Sequence, residues 1–272
     1  MATNLAIVTG TSRGIGAAVA RLLLERGWSV VGVARSQAIL RHELYRHIRC
    51  DLADANALSA LRTEIAPTLA AKELGRVGLV NNAALTGHLG RTSDLDLANY
   101  IEVQTANTAA PMMLMAMLDK LCGRNVAVRV VNVSSGVAVQ AFAGMASYSN
   151  SKAALRMGGM IMAKEWESNV PGSHRDDAAI LSYEPGLVDT DMQSDARSRS
   201  KQDFPWVGMF TGFHEQGALV KPERPAGEIV EFLESGKQAY FSERRLPNQD
   251  AVVHAPREPH VDAPFPPEPT PG

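Results

Sequence analysis

The stretch Thr9-Gly10-Thr11-Ser12-Arg13-Gly14-Ile15-Gly16 decides the fold, because it joins a short apolar run to a helix-periodic segment. The run before it is Leu5–Val8, and the segment after it is Ala17–Leu24. This glycine spacing permits a tight turn, and the helix that follows offers unpaired N–H groups and a positive dipole end to an anion. A strand, a glycine loop and a helix in this order indicate a site for the pyrophosphate of a dinucleotide. The loop residues expected to contact such a cofactor are Gly10, Ser12, Arg13, Gly14, Ile15 and Gly16.

The rest of the chain repeats this alternation of apolar, β-branched runs and helix-periodic segments. The runs lie at 5–9, 29–34, 47–50, 77–81, 126–134 and 178–183, with a weaker one at 238–242. Helices are expected at about 14–26, 54–70, 96–122, 149–169 and 222–235. Such a rhythm predicts βαβ units and a parallel sheet covered by helices on both faces. The fold class is therefore α/β, a single Rossmann-like domain over 1–245 with a doubly wound parallel sheet of about seven strands.

Residues 246–272 differ in composition from the rest of the chain. They carry eight of the fifteen prolines, and their last nine residues are mostly Pro, Glu and Thr. A segment of this kind cannot bury enough apolar area to offset the entropy of ordering it. We expect an extended or disordered Pro-rich tail.

The overall composition argues against several classes of protein. A net charge of −2 and a pI of about 6.4 suggest no nucleic-acid partner and no anionic membrane surface. Cys50 and Cys122 stand far apart and do not suggest a disulfide framework. No run approaches the roughly 18 apolar residues of a membrane span, and no basic-then-apolar leader opens the chain. We expect a cytoplasmic protein without a metal site, since no His or Cys stands in ligand spacing near the paired aspartates.

The end of the second predicted strand bears on which dinucleotide is bound. Folds that select NAD place an acidic residue there, roughly 20 residues after the glycine loop, to hold the ribose hydroxyls. Here the strand ends Val33-Ala34-Arg35-Ser36, so a guanidinium stands where a carboxylate would. Arg35 can bind a 2′-phosphate in fork geometry, and Arg13 of the glycine loop can reach the same group. The pattern predicts NADP(H) in preference to NAD(H).

A second group of residues carries the chemistry of a carbonyl reductase. Tyr148 follows Ser135, at the end of a predicted strand, by thirteen residues, and Lys152 stands four residues further on. At that spacing Tyr148 and Lys152 share one face of a helix. A free tyrosine has a pKa of about 10, and a neighbouring ammonium favours the phenolate and lowers that value. We expect Tyr148 to give its proton to a carbonyl oxygen that Ser135 holds by a hydrogen bond.

These motifs occur together in an order and spacing that resemble the short-chain dehydrogenase/reductase family. The resemblance covers roughly residues 4–242. It is carried by TGTSRGIG at 9–16, Asp51-Leu52, Asn81-Asn82-Ala83-Ala84, Asn107, Ser135, the segment Tyr148–Lys152 and Pro185-Gly186.

The resemblance implies roles for individual residues and a topology for the sheet. The implied catalytic tetrad is Asn107, Ser135, Tyr148 and Lys152, with a water held by Asn107 as a proton relay and Lys152 also holding the nicotinamide ribose. The other implied cofactor contacts are Asp51 and Leu52 at the adenine, Asn82 beneath the adenosine ribose, Pro185, Gly186, Val188 and Thr190 at the nicotinamide, and Ala83. The implied strand order is 3-2-1-4-5-6-7, and the implied assembly is a homodimer or homotetramer.

A finer resemblance lies in the segment Pro185–Gln193. Its PGxxDTDMQ pattern is similar to the branch of sepiapterin and benzil reductases, which act on vicinal dicarbonyl groups. The pterin-reducing members hold their substrate with an acidic residue near the last strand, and Tyr240 aligns with that position. This alignment favours an α-diketone or aryl ketone over a pterin. The apolar residues after the segment suggest a substrate lid that includes Phe204, Trp206, Met209, Phe210 and Phe213.

The sequence thus predicts an NADPH-dependent oxidoreductase that transfers a hydride to a small ketone or vicinal dicarbonyl, with Tyr148 as acid and base. One alternative is a reductase of the same family acting on a carrier-bound 3-oxoacyl group, for which the basic stretch Arg41–Arg49 is the candidate docking patch. The other alternative is a sensor that binds NADPH without turning it over. Such sensors typically lose the catalytic Tyr or Lys, whereas this chain keeps both.

Overall fold

A seven-stranded parallel sheet organises the computed structural model, which describes residues 3–37, 40–71, 73–168, 172–201, 204 and 206–247. The strands are β1 Thr3–Thr9, β2 Ser29–Ala34, β3 Tyr45–Arg49, β4 Leu74–Asn81, β5 Ala127–Val133, β6 Ala178–Glu184 and β7 Phe241–Arg245. The α-helices are α1 Gly14–Glu25, α2 Ala55–Leu69, α3 Leu97–Gln104, α4 Ala110–Leu121, α5 Ala146–Glu167, α6 Asp191–Arg197, α7 Val207–Glu215 and α8 Glu223–Glu234.

The strand order is β3-β2-β1-β4-β5-β6-β7, which confirms the predicted doubly wound α/β fold. Two apolar layers cover the sheet. Residues of α2, α4 and α5 pack on one face, and residues of α1 and α8 pack on the other. The strand order reverses between β1 and β4, and ligands of such sheets bind at that point, outside the carboxyl ends of the strands.

Two polar residues interrupt the apolar strand β5, and both are buried and paired. The guanidinium of Arg129 forms an ion pair with Asp177 at 2.6 Å and donates to the carbonyl of Gly236, also at 2.6 Å. Asn132 accepts a hydrogen bond from the Asn81 amide on β4 at 2.8 Å. These side chains link neighbouring segments to β5. Their pairing avoids the loss of stability that a buried polar group without a partner would cause.

The predicted helix 96–122 is helical without a gap over Leu97–Leu121, but its type changes inside this range. It divides into α3 and α4, with a π-helical turn over Thr105–Ala109 between them. Pro111 gives the physical reason, because it has no N–H to donate to the carbonyl of Asn107 four residues earlier and its ring crowds that carbonyl. The wider turn follows, and it contains Asn107. Pro111 was the signal in the sequence for this π-helical turn.

Other differences concern element bounds. β3 begins two residues before the predicted run and β7 spans Phe241–Arg245 rather than 238–242, while α6 and α7 were not predicted. Within the described ranges no helix is long and apolar enough to cross a membrane. Residues 248–272 lie outside the described residues, so the domain boundary at 245 stays a prediction.

Candidate active site

The glycine loop between β1 and α1 is shaped by close backbone approach. Gly10 and Gly14 have φ angles of +76° and +56°, which favour glycine. A Cβ atom on Gly16 would lie 2.3 Å from the carbonyl oxygen of Gly10. No side-chain hydrogen bond caps α1 at Arg13, and no acidic residue stands in its first turn. The N–H groups at this end of the helix therefore suit an anion such as a pyrophosphate.

Asn82 and Ala83 follow β4 and hold the end of β1. The Asn82 amide donates to the carbonyl of Thr9 at 2.9 Å, while the backbone N–H groups of Asn82 and Ala83 both donate to the Thr9 hydroxyl at 3.0 Å. This network holds the carboxyl ends of β1 and β4 together below the glycine loop. The predicted cofactor contacts of the two residues therefore lie at the switch point of the sheet.

The two predicted phosphate-binding arginines differ in their surroundings. Arg35 is exposed directly after β2. Arg13 is exposed as well, but its guanidinium forms an ion pair with Asp191 at the start of α6. Sequence spacing could not reveal this contact, because it joins segments far apart in the chain. Near the adenine end of the predicted site, Leu52 is buried, and the Asp51 carboxylate accepts the N–H of Ala53 at 3.0 Å.

The segment after β6 passes close to the glycine loop. Gly186 has a φ of +70°, and Val188 forms a bridge to Val220. A Cβ atom on Gly14 would lie 3.4 Å from the methyl group of Thr190. Four residues predicted to border the nicotinamide, Pro185, Gly186, Val188 and Thr190, thus belong to a segment that faces the phosphate-binding end.

The predicted catalytic side chains meet at the carboxyl end of β5. Tyr148 and Lys152 lie on the first turns of α5, and both are buried. The Lys152 ammonium donates to the carbonyl of Val133 at 2.7 Å and lies 5.5 Å from the centre of the Tyr148 ring. The Ser135 hydroxyl is hydrogen-bonded to Tyr148. The three groups therefore converge as their spacing predicts.

Burial changes the pKa of both Tyr148 and Lys152 in the direction that favours the neutral form of each side chain. The pKa of Tyr148 is raised to about 12 by burial, while the hydrogen bond with Ser135 acts in the opposite direction. Burial lowers the pKa of Lys152 to about 8. The prediction that Lys152 brings the pKa of Tyr148 below its ordinary value is wrong for the chain by itself. Desolvation of the Tyr148 phenolate outweighs the attraction of the Lys152 ammonium, which is hydrogen-bonded to the carbonyl of Val133.

Asn107 joins three segments around the site. Its amide nitrogen donates to the carbonyl of Leu85 at 2.8 Å and to the Ser151 hydroxyl at 2.9 Å, and its oxygen accepts the N–H of Leu85 at 2.8 Å. The Ser151 hydroxyl in turn donates to the carbonyl of Tyr148 at 2.7 Å. Asn107 thus fixes the loop after β4 to the helix that carries Tyr148. Its role in holding a water stays a prediction.

An apolar cluster packs around Tyr148. It comprises Leu89, Met145, Tyr148, Ala196, Phe204 and Val207, with Phe142, Met192, Trp206 and Phe210 against it. The indole N–H of Trp206 donates to the carbonyl of Ala143 at 2.9 Å, and the Trp206 ring meets Phe142 edge-on. Phe204, Trp206 and Phe210 of the predicted lid therefore pack beside Tyr148. Sequence analysis missed Leu89 and Met145, which lie in loops without periodicity.

A cavity of about 280 Å³ adjoins Ser135 on the side of β6 and β7. Its lining contains two carboxylate–guanidinium pairs. Arg156 donates to Glu243 at 2.6 Å and 2.7 Å, and Arg245 lies 3.2 Å from Glu184. Sequence analysis did not single out these four residues. The one signal was the charge of Glu184, which ends a buried strand.

Tyr240 lies away from this cavity, just before β7 begins. Its hydroxyl donates to the carbonyl of Arg175 at 2.7 Å. The alignment of Tyr240 with an acidic substrate-holding residue stays a prediction, and the carboxylates that line the cavity beside Ser135 are Glu184 and Glu243.

The doubly wound sheet and the glycine loop at its switch point define a dinucleotide-binding α/β protein. The sequence model of the short chain dehydrogenase family matches residues 4–201, and the chain belongs to this family. It is an NAD(P)-dependent dehydrogenase or reductase that acts on small molecules. Within the described part of the chain, no group of three or more His, Cys, Asp or Glu side chains is placed to hold a metal ion.

Two curated proteins and one solved structure illustrate the similarity. Benzil reductase ((S)-benzoin forming) of Bacillus subtilis (strain 168) is 28% identical over 86% of this chain and 95% of its own length. The 3-oxoacyl-acyl-carrier-protein reductase FabG of Vibrio harveyi is 29% identical over 89% of this chain and 94% of its own length. The crystal structure of the KRED1-Pglu enzyme is 26% identical, covers 88% of this chain and 100% of that one, and superimposes with a TM-score of 0.72. The first of these agrees with the predicted branch of the family.

Proposed function

We propose that this protein is an NADPH-dependent reductase of small ketones or vicinal dicarbonyls, with Tyr148 as the proton donor. The observation that carries the proposal is the buried Tyr148, hydrogen-bonded to Ser135 and close to Lys152, inside an apolar wall. A hydroxyl in this setting stays protonated at neutral pH, because burial raises the pKa of Tyr148 to about 12. It therefore has a proton to give to a carbonyl oxygen.

The residues divide the work of the reduction. When bound, the nicotinamide cofactor supplies the hydride. Tyr148 donates its proton to the substrate oxygen, while Ser135 donates a hydrogen bond that holds the same oxygen in place. Lys152, whose pKa burial lowers to about 8, is still mostly protonated at neutral pH and stabilises the charge left on the Tyr148 oxygen.

The surroundings of Tyr148 favour an apolar carbonyl substrate. Leu89, Met145, Phe204 and Val207 are all buried and face the same cluster as the tyrosine ring. Aromatic and aliphatic walls of this kind bind the rings or alkyl groups of aryl ketones and diketones. The similarity to benzil reductase of Bacillus subtilis supports this substrate class.

The preference for NADPH is supported by the charge at the end of β2. Arg35 is exposed at this position, where a carboxylate would select the ribose hydroxyls of NADH. Arg13 can contribute as well once it leaves Asp191. A guanidinium fork suits a phosphate dianion.

A substrate panel tests the proposal. NADPH oxidation would be followed with benzil, a short α-diketone, sepiapterin and an acetoacetyl thioester, and with NADH in place of NADPH. Tyr148→Phe should lower kcat for the dicarbonyls by about 10²- to 10⁴-fold, because the proton donor is lost. Tyr240→Phe is the matched control, since its hydroxyl bonds to Arg175 away from the cavity.

The outcomes separate the proposal from its rivals. Dicarbonyl turnover that requires NADPH and disappears in Tyr148→Phe supports it. Turnover of the thioester alone would favour a carrier-dependent reductase. The similarity to the FabG reductase of Vibrio harveyi supports this alternative. Much of the predicted basic docking patch is already engaged, because Arg46 pairs with Glu64 and Arg49 donates to the carbonyl of Arg35. Tight NADPH binding without turnover of any substrate would favour the sensor.

The proposal includes self-association through α5 and its neighbours. Met157 and Ile161 lie one turn apart on α5 and are 51% and 52% exposed, and Ile101 on α3 is 54% exposed. Exposed apolar side chains on adjacent helices favour contact with another copy of the chain. This supports a homodimer or a homotetramer.

A further inference from the structure

β3 presents three polar side chains on one face, next to the cofactor end of the sheet. Tyr45, His47 and Arg49 occupy alternate positions, so they point to the same side. The residues between them face α2, where Arg46 pairs with Glu64 at 2.7 Å and Ile48 enters the apolar layer. Tyr45, His47 and Arg49 are called the polar row below, and the proposed reaction gives them no role.

Two members of the polar row hold the backbone next to Arg35. A ring nitrogen of His47 (Nε2) lies 3.0 Å from the carbonyl oxygen of Ser36. The Nε atom of Arg49 donates to the carbonyl oxygen of Arg35 at 3.0 Å. Both carbonyls of the Arg35-Ser36 dipeptide are thus held by β3. This fixes the point from which the Arg35 side chain extends.

The third member connects the polar row to the glycine loop. The Tyr45 hydroxyl lies 3.1 Å from the hydroxyl of Thr11 and 3.2 Å from the Nδ1 atom of His47. Thr11 is 1% exposed and immediately precedes Ser12 and Arg13. A chain of hydrogen bonds therefore runs from Thr11 through Tyr45 and His47 to the carbonyl of Ser36.

The direction of this chain follows from its last acceptor. A carbonyl oxygen only accepts, so a neutral His47 must donate from Nε2 and accept at Nδ1. Tyr45 then donates to His47, and Thr11 donates to Tyr45. Every hydroxyl and ring proton in the chain is used once, which gives the chain one consistent arrangement.

Gly32 provides the space for this arrangement. A Cβ atom on Gly32 would lie 2.1 Å from the Tyr45 hydroxyl and 2.7 Å from two ring carbons. The tyrosine ring therefore crosses β2 directly above Gly32. A glycine inside a buried strand marks such a close approach.

We propose that Tyr45, supported by Gly32 and His47, is a positioning residue that sets the preference of this enzyme for NADPH. The hydrogen-bond chain fixes the separation between the glycine loop and Arg35. A 2′-phosphate must be held by both segments at once, whereas the free hydroxyl of NADH does not need Arg35. Breaking this hydrogen-bond chain should therefore weaken the binding of NADPH more than the binding of NADH. The inference rests on the proposed preference for NADPH.

The test uses the full-length enzyme and the substitution Tyr45→Phe, which removes the hydroxyl and keeps the ring. KM and kcat would be measured with NADPH and NADH, and Kd with 2′,5′-ADP and with AMP. KM for NADPH and Kd for 2′,5′-ADP should rise about five- to tenfold, because the hydroxyl that links Thr11 to His47 is lost. The values for NADH and AMP and the kcat with NADPH should stay within about twofold. Tyr100→Phe, which removes a hydroxyl on α3, is the matched control.

A double-mutant cycle tests the chain as a unit. Thr11→Val removes the other end of the Thr11–Tyr45 bond. If Thr11 and Tyr45 act through the hydrogen bond between them, the double variant should bind NADPH no more weakly than whichever single variant has the lower affinity for NADPH. Gly32→Ala should reproduce the effect by displacing the Tyr45 hydroxyl. The melting temperature of each variant shows whether it is folded.

The results distinguish the inference from the proposal beneath it. Equal weakening of NADPH and NADH by Tyr45→Phe would overturn the inference, because the residue would then support the whole site without discriminating. If the wild type prefers NADPH and Tyr45→Phe binds NADPH as tightly as the wild type does, the inference is overturned as well. A wild-type enzyme without preference would overturn the cofactor proposal itself, and the inference with it.

Discussion

The residues at the site differ in how far their surroundings could be inferred. Ser135, Tyr148 and Lys152 converge as their spacing predicts, because a strand end and one helical face bring them together. Their protonation could not be inferred the same way. Desolvation depends on everything packed around a group, and the apolar cluster beside Tyr148 is built from distant segments.

Lys152 allows a prediction about stability and pH. Its pKa is about 8 in the folded chain and 10.5 ordinarily, so the folded chain binds the proton more weakly than the unfolded one. The contribution of Lys152 to the free energy of unfolding is therefore complete above pH 10.5 and is lost as the pH falls through 8. Relative to Lys152→Met, the wild type should gain up to about 3 kcal/mol across this range.

Urea denaturation of both proteins at several pH values measures this difference. Cys50, Cys122 and Tyr148 also titrate at high pH, and the comparison cancels most of their effects because both proteins contain them. A difference between the two curves that does not change with pH would show that Lys152 has no lowered pKa.

Arg13 illustrates what residue patterns cannot reveal. Its place in the glycine loop predicts a phosphate contact, but in the structure it is paired with Asp191. The two residues are 178 positions apart, so only the tertiary fold makes them neighbours. The glycines of the same loop were predictable, because a tight turn and a close approach restrict the residue type locally.

At the scale of elements, Asn107 in the π-helical turn yields a second prediction. The residue is fully buried, and Asn107→Ala would leave the N–H and carbonyl of Leu85 without their partner. The free energy of unfolding should fall by about 1–3 kcal/mol, and kcat should fall because α5 loses a support. Chemical denaturation and initial-rate measurements check both effects.

Asn150→Ala provides the comparison for this prediction. Asn150 is exposed on α5, and its side chain donates a hydrogen bond to the Tyr100 hydroxyl at 3.3 Å. Its removal should change the free energy of unfolding by less than about 0.5 kcal/mol. Equal effects of the two substitutions would show that the contacts of Asn107 have no special weight.

The segment carrying α6 and α7 yields a third prediction. Trp206 packs edge-on against Phe142 beside the cluster that contains Tyr148. Trp206→Ala should raise KM for benzil about tenfold, because a large apolar contact is lost, and change KM for a short α-diketone by less than about twofold. Steady-state kinetics with the two substrates measure the ratio. An unchanged KM for benzil would place Trp206 outside the substrate site.

Most strands and helices could be predicted from local patterns in the sequence. Buried parallel strands such as β1 and β5 are continuous apolar runs that the local sequence identifies. By contrast, α6 and α7 are short, so no clear periodicity marks them. The bounds of β7 depend on its pairing with β6, which a local pattern does not contain.

At the scale of the whole molecule, the apolar face of α5 yields a fourth prediction. The double substitution Met157→Glu with Ile161→Glu places two charges on this face. It should shift the protein from an oligomer to a monomer, because charges are depleted from the centres of protein interfaces. Light scattering after gel filtration measures the mass. Val139→Glu is the control, since Val139 is 72% exposed but lies outside the helices.

An unchanged mass for the double variant would contradict self-association through this face of α5.

The strand order of the sheet needed the family resemblance, because alternation of strands and helices alone predicts only a parallel sheet. The buried pairing of Arg129 with Asp177 could not be predicted either, since a charged residue in an apolar run gives no indication of its partner.

The π-helical turn also affects how this chain should be aligned with other proteins. A π-helical turn holds one residue more than the α-helical turn it replaces. A relative with an uninterrupted helix at this place would be one residue shorter between α3 and α4. An alignment without a gap over Thr105–Ala109 would then shift every position of one of these helices by one residue, about a quarter of a turn. Comparisons of the exposed and buried faces of the two helices should therefore treat α3 and α4 as separate segments.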